Sequence, residues 1–330
     1  MTQAIGAVDL YNMSIRDYRT YQTLPKFSPR DIVDLMHSDD GGGGIIGQEA
    51  ACRAVATQIY SHFNSCEKPK RNILLIGPTG CGKSEIMRFV SKQWNARGFV
   101  RCFDASQINA TGWKGGIKLA DMLRDMPEPY GMILFLDEFD KLVQERYAGG
   151  SSGAWSVNSL VQEQLLKLLD HDKLTVGGED GKSGFDVYGQ RITVICMGAF
   201  TEIREKKLRQ KAKRHIGFTD HTVPVETDDE ITITQDDLIE YGVMPEIANR
   251  LSPVYMPPIS RSDMLQIARR EVKRLSSGIF GSITVPDEKL QILANEAYES
   301  GGGGRAIRNR LLAMLDDALF DNPDGEVFVL

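Results

Sequence analysis

The stretch NILLIGPTGCGKSEIMRFVSKQW, residues 72–94, constrains the fold of this chain more than any other. Its first part, from Ile73 to Ile76, is an all-apolar run typical of a buried parallel strand. A glycine-rich turn and then a helical pattern follow. The turn, from Gly77 to Ser84, fits G-x-x-x-x-G-K-[S/T], in which backbone N–H groups surround phosphate oxygens in front of a helix N-terminus. Because strand, loop and helix occur in the required order, a chance glycine turn is a poor alternative.

Two later stretches repeat the buried-strand pattern. GMILFLDEFD, residues 131–140, and RITVICMGAF, residues 191–200, are apolar runs separated from each other and from the first strand by other segments, several of them helical. Strands that alternate with helices predict βαβ crossovers and a parallel sheet. The sequence therefore predicts an α/β fold of the P-loop NTPase type, with helices packed around a parallel sheet.

The charged residues of these stretches predict a hydrolytic site. Lys83 is expected to reach the β- and γ-phosphates of ATP and Ser84 to ligate Mg²⁺. An acid at the end of a buried strand is costly unless it binds something, so Asp137 is expected to hold the magnesium ion. Glu138, next to it, is expected to orient and activate the attacking water. Solvated acids at a strand end are the alternative, and the phosphate loop argues against it.

Composition limits the remaining classes of function. With 330 residues, 42% of them apolar and 25% charged, the chain is long enough for about two globular domains. Its net charge of −6 does not match nucleic acid, although the basic run at 206–215 leaves a local contact open. No apolar run approaches the ~20 residues that span a bilayer, and the N-terminus lacks a signal-peptide pattern. Five scattered cysteines without a C-x-x-C pair argue against disulfides and zinc, so a cytoplasmic protein without membrane contact is expected.

Pattern changes along the chain predict three parts. Residues 1–42 are expected to form an N-terminal extension that ends in a short helix capped by Ser28. Residues 43–255 are expected to form the large α/β domain, and residues 256–330 a smaller, mainly helical domain that begins in the proline-rich connection PVYMPPISRSD. The terminal EVFVL is typical of a strand. The acidic run ETDDEITITQDD is expected to be a solvated loop and strand.

Taken together, the motifs resemble those of the AAA+ ATPases of the ClpX and HslU type, which are unfoldase subunits of ATP-dependent proteases. The similarity runs from about residue 28 to about residue 325. Besides the two phosphate-site motifs, it rests on segments that occur in the family's order, namely IIGQEAACRAVATQIYSHF, SLVQEQLLKLLD, VICMGAF, DLIEYGVMPEIANRLSPV and GGGGRAIRNRLLAMLDDAL. The resemblance implies an AAA+ large domain, a small helical domain and assembly into a ring of six subunits. The zinc domain that precedes the motor in ClpX is expected to be missing.

The resemblance also assigns residues to the nucleotide site. Arg250 would be an arginine finger that reaches the nucleotide of a neighbouring subunit, and Arg305 would be the sensor 2 arginine, with Arg308 as the second choice. From the local sequence alone, Arg250 is instead a surface arginine or a helix-cap partner and Arg305 a solvated residue. No sensor 1 residue is assigned in CMGAF. With Lys83 and Glu138, Arg250 and Arg305 make up the expected catalytic set. The metal ligands would be Ser84 and Asp137. The expected ATP-binding residues are Ile46, Gly47, Pro78, Thr79, Gly80, Cys81, Gly82, Lys83, Ser84, Asp137 and Arg305.

Two further segments resemble the parts of this family that handle protein substrates. NATGWKGGIK resembles its first pore loop, so Trp113 would line a central channel and grip polypeptide by apolar contact. Lys114 departs from the apolar residue usual there, which would favour acidic chains or permit contact with a nucleic-acid backbone. The alternative is that Trp113 packs against its own domain. The segment Ile216, Gly217 and Phe218 resembles the loop that docks the ClpP peptidase, and an ordinary turn is an equal alternative.

The sequence therefore predicts a ClpX-like, ATP-dependent protein unfoldase that uses Mg²⁺ and ATP to thread polypeptide through the pore of a homo-hexamer. Its expected partners are protein substrates and a ClpP-like peptidase. Two alternatives stay open. One is a complex-remodelling or assembly factor that works without a protease. The other is a nucleic-acid-associated motor that uses Lys114 and the basic run 206–215.

Overall fold

The structure is a computed structural model, and it describes residues 27–39, 43–64, 71–94, 99–108, 117–125, 131–143, 157–170, 173–176, 185–215, 231–278, 282–322 and 327–329. The strands in these ranges are β1 (Asn72–Ile76), β2 (Val100–Asp104), β3 (Met132–Asp137), β4 (Lys173–Val176), β5 (Phe185–Tyr188), β6 (Ile192–Gly198), β7 (Leu251–Tyr255), β8 (Ser282–Thr284) and β9 (Val327–Val329). The α-helices are α1 (Pro29–His37), α2 (Glu49–Asn64), α3 (Lys83–Trp94), α4 (Leu119–Leu123), α5 (Phe139–Val143), α6 (Val157–Leu169), α7 (Thr201–His215), α8 (Gln235–Tyr241), α9 (Pro245–Ala248), α10 (Arg261–Gly278), α11 (Asp287–Glu299) and α12 (Gly303–Asp321).

Five parallel strands form the central sheet, in the order β2-β3-β6-β1-β7. The three strands predicted from apolar runs, β1, β3 and β6, are its buried interior. In register, Ile76 at the end of β1 lies beside Gly198 of β6. Leu136 near the end of β3 lies beside Cys196 of β6. The carboxyl ends of the three strands thus share one edge, where α/β folds bind ligands, and the predicted α/β fold is confirmed.

The two edge strands were not predicted, because neither is a plain apolar run. β2 buries only Val100 fully, and its other side chains are partly or wholly exposed. β7 contains Pro253, which lies opposite Leu74 of β1. A proline cannot donate to a sheet ladder, so it is tolerated only at an edge such as this one. The interpretation of the chain from Pro253 onward as a connection is therefore wrong for residues 253–255. The antiparallel pair β4–β5 was not predicted either.

The two faces of the sheet carry separate apolar clusters. Leu74 and Ile76 of β1 pack with side chains of α6, α7 and α8, whereas Ile73 and Leu75 pack with side chains of α1, α2 and α3. This alternation follows from the period of two in a strand. Each cluster fixes one set of helices against the sheet, and α3, which follows the phosphate loop, belongs to the second set.

Helix α1 begins as the sequence predicts. Ser28 Oγ accepts a hydrogen bond from the backbone of Asp31, and the Asp31 carboxylate accepts one from the backbone of Ser28, while Pro29 holds the first helical position. Ile32 and Met36 of α1 are buried in the cluster shared with α2 and α3. The helix expected within the N-terminal extension therefore packs directly onto the sheet layer.

The acidic run contains no strand in its described part, so that expectation is wrong. Ile231 and Ile233 are buried, and α8 begins at Gln235. The Thr234 and Asp237 side chains exchange hydrogen bonds with each other's backbone, which caps the start of the helix. In sequence, the alternating isoleucines before the capping residues resemble a short strand. In the structure, these isoleucines are buried against the sheet layer, and the capping residues begin a helix.

A third apolar cluster lies in the C-terminal part and joins α10, α11 and α12 with the parallel pair β8–β9. The expected strand in EVFVL is β9, which pairs with β8. Met256, one residue beyond the predicted boundary at 255, still packs in the cluster with α2 and α3. None of the described helices combines the length and the apolar composition that crossing a lipid bilayer requires.

Candidate nucleotide site

A cavity of about 790 Å³ opens at the carboxyl edge of the sheet. It is lined by the phosphate loop, by the residues that follow β3 and β6, by residues 44–46, and by α10 and α12. The sequence therefore brings parts that are far apart in the chain to the edge where the three predicted strands end. Ligand cavities of this size and composition accommodate a nucleotide-sized molecule.

The phosphate loop is folded around its own lysine. Lys83 Nζ donates hydrogen bonds to the carbonyls of Gly77 and Pro78, at 2.5 and 3.0 Å. A Cβ on Gly77 would lie 2.3 Å from the Met256 carbonyl oxygen, so close approach of the backbone requires glycine there. Burial raises the pKa of the Cys81 thiol, which favours the neutral form and makes this residue a packing group of the loop.

The end of β3 presents two carboxylates to the same cavity. Asp137 Oδ1 accepts a hydrogen bond from the Glu138 backbone at 2.9 Å, and the Glu138 side chain is exposed. Glu138 has φ +53°, a conformation that is uncommon for a residue other than glycine and that clusters at functional sites. Buried Phe139 begins α5 immediately afterwards and holds this turn in place. The turn thus presents Glu138 at the mouth of the cavity.

The start of α12 contacts the phosphate loop directly. A Cβ on Gly303 would lie 2.5 Å from the Gly80 carbonyl oxygen, and both glycines have positive φ. Arg305 Nη2 donates to Ser84 Oγ at 3.3 Å. Arg308 instead lies near Glu271, with Nη1 at 3.6 Å from Oε2. Of the two arginines considered for sensor 2, Arg305 is the one that contacts the phosphate loop.

The cavity has two walls of opposite charge. The sheet wall, defined by the lining residues that follow β3 and β6, has four acids and one lysine: Asp137, Glu138, Asp140, Glu202 and Lys141. The helix wall, defined by the lining residues of α10 and α12, has four arginines and one glutamate: Arg270, Arg274, Arg305, Arg308 and Glu271. A polyphosphate is attracted to the helix wall and a divalent cation to the sheet wall. The cavity is therefore polarised as a Mg-nucleotide requires.

Magnesium prefers oxygen ligands and keeps several waters and phosphate oxygens in its shell. Ser84 and Asp137, the two predicted ligands, both line the cavity and both offer oxygen. In the described part of the chain, no group of three or more His, Cys, Asp or Glu residues could hold a metal ion by itself. The donor set thus fits an ion that is bound jointly with phosphate.

Comparisons with known proteins agree with this geometry. Residues 73–220 match the family model of the ATPases associated with various cellular activities, AAA. The chain is 27% identical to the ATP-dependent Clp protease ATP-binding subunit ClpX of Bacteroides thetaiotaomicron, over 84% of this chain and 74% of that protein. It is 26% identical to ClpX of Porphyromonas gingivalis, over 98% and 86%, and 23% identical to ClpX of Treponema denticola, over 96% and 83%. These similarities support a ClpX-like AAA ATPase.

The match to the AAA model ends before α10, so it includes the sheet wall of this ClpX-like ATPase but not its helix wall. The similarity to the ClpX proteins extends over both walls. Nucleotide binding and ATPase activity follow from these relationships.

Most of the predicted ATP-binding residues lie together in the ClpX-like ATPase. The cavity is lined by Ile46, by Asp137 and Arg305, and by the loop residues Thr79, Gly80, Cys81, Gly82, Lys83 and Ser84. Two of the predicted residues, Gly47 and Pro78, are not among the described residues that line it. Gly47 has φ +66° and helps turn the chain after Ile46, whereas Pro78 contributes its carbonyl to Lys83.

Other predicted residues lie elsewhere. Arg250 is outside the cavity of its own chain, where its guanidinium contacts the Asp170 carboxylate and donates to the Glu246 carbonyl at 2.7 Å. Trp113 and Lys114 lie outside the described residues, as do Ile216, Gly217 and Phe218.

Sequence reasoning missed most of the helix wall of the ClpX-like ATPase. Arg270 and Arg274 are one helical turn apart on α10, and both line the cavity. The spacing of four in IARREVKR would have placed them on one helix face, but it did not indicate what that face meets. Thr201 and Glu202, at the start of α7, were also missed, since they follow the CMGAF segment, which offers no Asn or Thr to orient water.

Proposed function

We propose that this ClpX-like ATPase uses Mg-ATP hydrolysis to unfold proteins and to thread them through the pore of a hexameric ring. The observation that carries the proposal is the connection between the hydrolytic end of β3 and the segment that contains Trp113. Support for each part comes from the described residues on either side of that segment and from the charge of the two cavity walls.

In the proposed site, ATP lies in the cavity with its phosphates between Lys83 and Arg305. Lys83 exchanges its loop carbonyls for phosphate oxygens, as the motif requires. Glu138 orients the attacking water and accepts its proton. Ser84 and Asp137 would hold Mg²⁺, which when bound supplies charge neutralisation at the phosphates.

Arg250 supports the proposal that the active unit is an oligomer. Its side chain is about one-third exposed and lies outside the cavity of its own chain. An arginine that completes a phosphoryl-transfer site from a neighbouring subunit needs this placement. The ion pair with Asp170 is partly exposed and therefore weak enough to be exchanged for a phosphate.

The end of β2 connects the hydrolytic turn to the Trp113 segment. Asp104 ends β2 and lies in register with Asp137, which ends β3. The Asp104 carboxylate accepts hydrogen bonds from the backbone and hydroxyl of Ser106, at 2.8 and 2.6 Å, and from Gln107 Nε2 at 3.0 Å. A displacement of the β3 end would therefore be passed to residues 104–107, which lead into the segment.

Described residues on both sides hold the ends of this segment together. Ile108 and Ile117 form an isolated parallel bridge, and Ile117 N donates to Gln107 O at 3.0 Å. Arg101 of β2 donates to the carbonyls of Met122 and Asp125 at 3.0 Å each, which ties the end of α4 to the same strand. These contacts support the proposal that Trp113 contacts the substrate. A side chain can transmit force to a polypeptide only if the ends of its segment are held rigidly by the domain.

We propose the predicted division into residues 1–42, 43–255 and 256–330, with α1 of the first part packed onto the sheet layer of the second. The separate apolar cluster of α10 to α12 supports an independent C-terminal unit. Packing of α1 against α2 indicates that residues 27–39 move with the sheet. The relatives' name includes a Clp protease, and we propose a peptidase of that kind as the partner at Ile216, Gly217 and Phe218.

The nucleic-acid-associated motor has less support. Three cations of the basic run are paired with acids: Lys206 with Glu240, Lys207 with Asp237, and Arg209 with Glu205. Paired cations release few counterions on binding a phosphate backbone. A remodelling factor without a protease would use the same motor and differ only in its partner. Substituting Phe218 and measuring association with a peptidase separates that alternative from the main proposal.

The test of the proposed function is the variant Trp113→Ala. We expect its basal ATP hydrolysis to stay within about twofold of the parent chain, because Trp113 is remote in sequence from the nucleotide residues, while unfolding of a folded fluorescent substrate is lost. Trp113→Tyr is the matched control and should retain unfolding, since it keeps an aromatic ring. Undiminished unfolding by Trp113→Ala would contradict the proposed grip.

A further inference from the structure

Arg274 connects three elements around the cavity. Its Nη1 lies 3.0 Å from Glu271 Oε1 on its own helix and 3.6 Å from Glu85 Oε2 on α3. Its Nη2 donates to the Gly43 carbonyl at 3.4 Å. Gly43 begins the short segment that leads to Ile46 on the cavity lining. One guanidinium therefore contacts the helix wall, the helix that follows the phosphate loop and the segment that leads to Ile46.

The segment has room for this contact only because it begins with glycines. A Cβ on Gly43 would lie 2.7 Å from Phe89 Cδ2, and a Cβ on Gly44 would lie 2.5 Å from Arg270 Nη2. Arg270 also donates to the Gly43 carbonyl, at 3.3 Å, so two arginines of α10 converge on one oxygen. Burial first, and then the neighbouring Arg274, lowers the pKa of Arg270 below its ordinary value.

Glu271 holds Arg274 in place, because its buried carboxylate needs a nearby cation. Its side chain is only 10% exposed, and among the described residues its Oε2 has no hydrogen-bond partner, with Arg308 Nη1 at 3.6 Å. A buried carboxylate is tolerated only when cations compensate it. Arg274 supplies the shorter of these two contacts, so the buried charge holds Arg274 in place.

The contact between Arg274 and Glu85 affects nucleotide binding, because Glu85 lies close to the expected phosphate site. It lies two residues after Lys83, in the first turn of α3, where a phosphate is expected to bind. An uncompensated carboxylate there repels a polyphosphate. Arg88 Nη1 lies 2.8 Å from Glu85 Oε1, and Arg274 approaches the other oxygen. The two arginines together neutralise Glu85 from both sides.

We propose that Arg274 is a positioning residue for nucleotide binding, which neutralises Glu85 and holds α10 against the segment before Ile46. It acts through Glu85, Glu271 and the Gly43 carbonyl, and the inference requires no direct contact with the nucleotide. The inference rests on the proposed nucleotide site but not on protein unfolding.

The experiment measures equilibrium binding of Mg-ADP by calorimetry, and KM and kcat for ATP, on the full chain. Arg274→Gln should weaken nucleotide binding and raise KM by about tenfold while kcat stays within about twofold, because the phosphate-site potential changes and the hydrolytic residues do not. Arg269→Gln is the matched control. Arg269 is on the same helix but pairs with Asp287, 3.4 Å away, and it does not line the cavity.

A second substitution separates positioning from general structural damage. Adding Glu85→Gln to Arg274→Gln removes the carboxylate that Arg274 neutralises, so binding should return to within about threefold of the parent chain. Normal binding by Arg274→Gln would overturn the inference, and so would a double variant that binds no better than the single one.

The variant Lys83→Ala distinguishes an error in the role of Arg274 from an error in the location of the nucleotide site. It should abolish nucleotide binding if the cavity is the nucleotide site. Normal binding by Lys83→Ala would overturn the site and with it the inference. Loss of binding by Lys83→Ala together with normal binding by Arg274→Gln would overturn the inference alone.

Discussion

The two walls of the cavity are built in different ways. The sheet wall consists of residues that directly follow buried strands, so its carboxylates are placed by the most tightly packed part of the molecule. The helix wall consists of long arginine side chains on α10 and α12, which lie between acids and backbone carbonyls. We infer that the sheet wall contributes fixed geometry for hydrolysis, and that the helix wall contributes adjustable positive charge for binding and for sensing the nucleotide.

The difference between the walls gives separate expectations for their residues. Substitution of Glu138, the proposed water-activating residue of the sheet wall, should lower kcat and leave nucleotide affinity nearly unchanged. Substitutions in the helix wall should raise KM and the dissociation constant more than they lower kcat. A residue that lies outside both walls and outside the phosphate loop, such as Asp237, should change neither quantity.

The largest expected effect is that of Glu138→Gln in the sheet wall. Removal of a group that activates water costs about 10²- to 10⁴-fold in the rate of hydrolysis, while binding of Mg-ATP should change by less than about threefold. The measurement is steady-state phosphate release together with equilibrium nucleotide binding. Glu202→Gln, at another carboxylate of the same wall, is the control and should retain most activity. Equal losses in the two variants would show that charge, rather than placement, matters in this wall.

The next effect should come from Gly303→Ala, where the helix wall meets the phosphate loop. The new Cβ would lie 2.5 Å from the Gly80 carbonyl oxygen, so α12 must withdraw and Arg305 with it. We expect a rise in KM of about tenfold or more, equivalent to about 1.4 kcal/mol of binding. Gly301→Ala shares the positive φ, at +65°, but meets nothing within 4 Å. Gly301→Ala should therefore lower the free energy of unfolding by about 1 kcal/mol through backbone strain, and it should leave KM unchanged.

A smaller effect is expected from Arg305→Ala. The variant loses the contact with Ser84 Oγ and one of four arginines of the helix wall, so the dissociation constant for ATP should rise by about three- to tenfold. Arg310→Ala is the matched control on the same helix, because Arg310 pairs with Glu296 and does not line the cavity. Should Arg305→Ala lower only kcat, the assignment of binding to the helix wall would be wrong.

The smallest effect concerns Asp237, which lies outside both walls. Burial would raise its pKa, but hydrogen bonds from Lys207 and from Thr234 hold the pKa below its ordinary value of 3.8. A carboxyl whose pKa is lowered on folding stabilises the folded state above the pKa of the unfolded chain, and this contribution is lost as pH falls through the folded value. Asp237→Asn should therefore lower the free energy of unfolding by about 1 kcal/mol or less at pH 7, with no change in KM. The difference from the parent chain should shrink as pH falls below the ordinary pKa of 3.8 in acid titrations of unfolding. A constant difference at all pH values would contradict this origin.

The phosphate loop and the end of β3 were predictable from sequence, whereas Glu202 of the sheet wall and most of the helix wall were not, for a physical reason. Lys83, Ser84, Asp137 and Glu138 belong to short local motifs, in which the spacing itself determines that the residues face one site. Arg274 acts through Glu85 and Gly43, which are 189 and 231 positions away in the chain. No local pattern specifies such a contact, because it depends on how the third apolar cluster is placed against the sheet.

The same limit explains the edge strands. β1, β3 and β6 are buried on both faces and therefore appear as apolar runs. β7 contains Pro253 and was interpreted as a connection, although its position at the edge makes the missing N–H harmless. Arg305 was assigned from a resemblance rather than from its own surroundings. It contacts Ser84 of the phosphate loop, and its role as sensor 2 stays a prediction.

The central claim is that nucleotide lies between the two walls and that its hydrolysis moves the Trp113 segment along a protein substrate. An electron cryo-microscopy map of the Glu138→Gln variant, trapped with Mg-ATP and a polypeptide substrate, tests it most directly. The account predicts a ring in which phosphates lie between Lys83 and Arg305, Arg250 reaches the site of the adjacent subunit, and Trp113 contacts the polypeptide on the axis. Nucleotide bound away from these walls, or Trp113 packed within its own subunit while substrate occupies the axis, would contradict it.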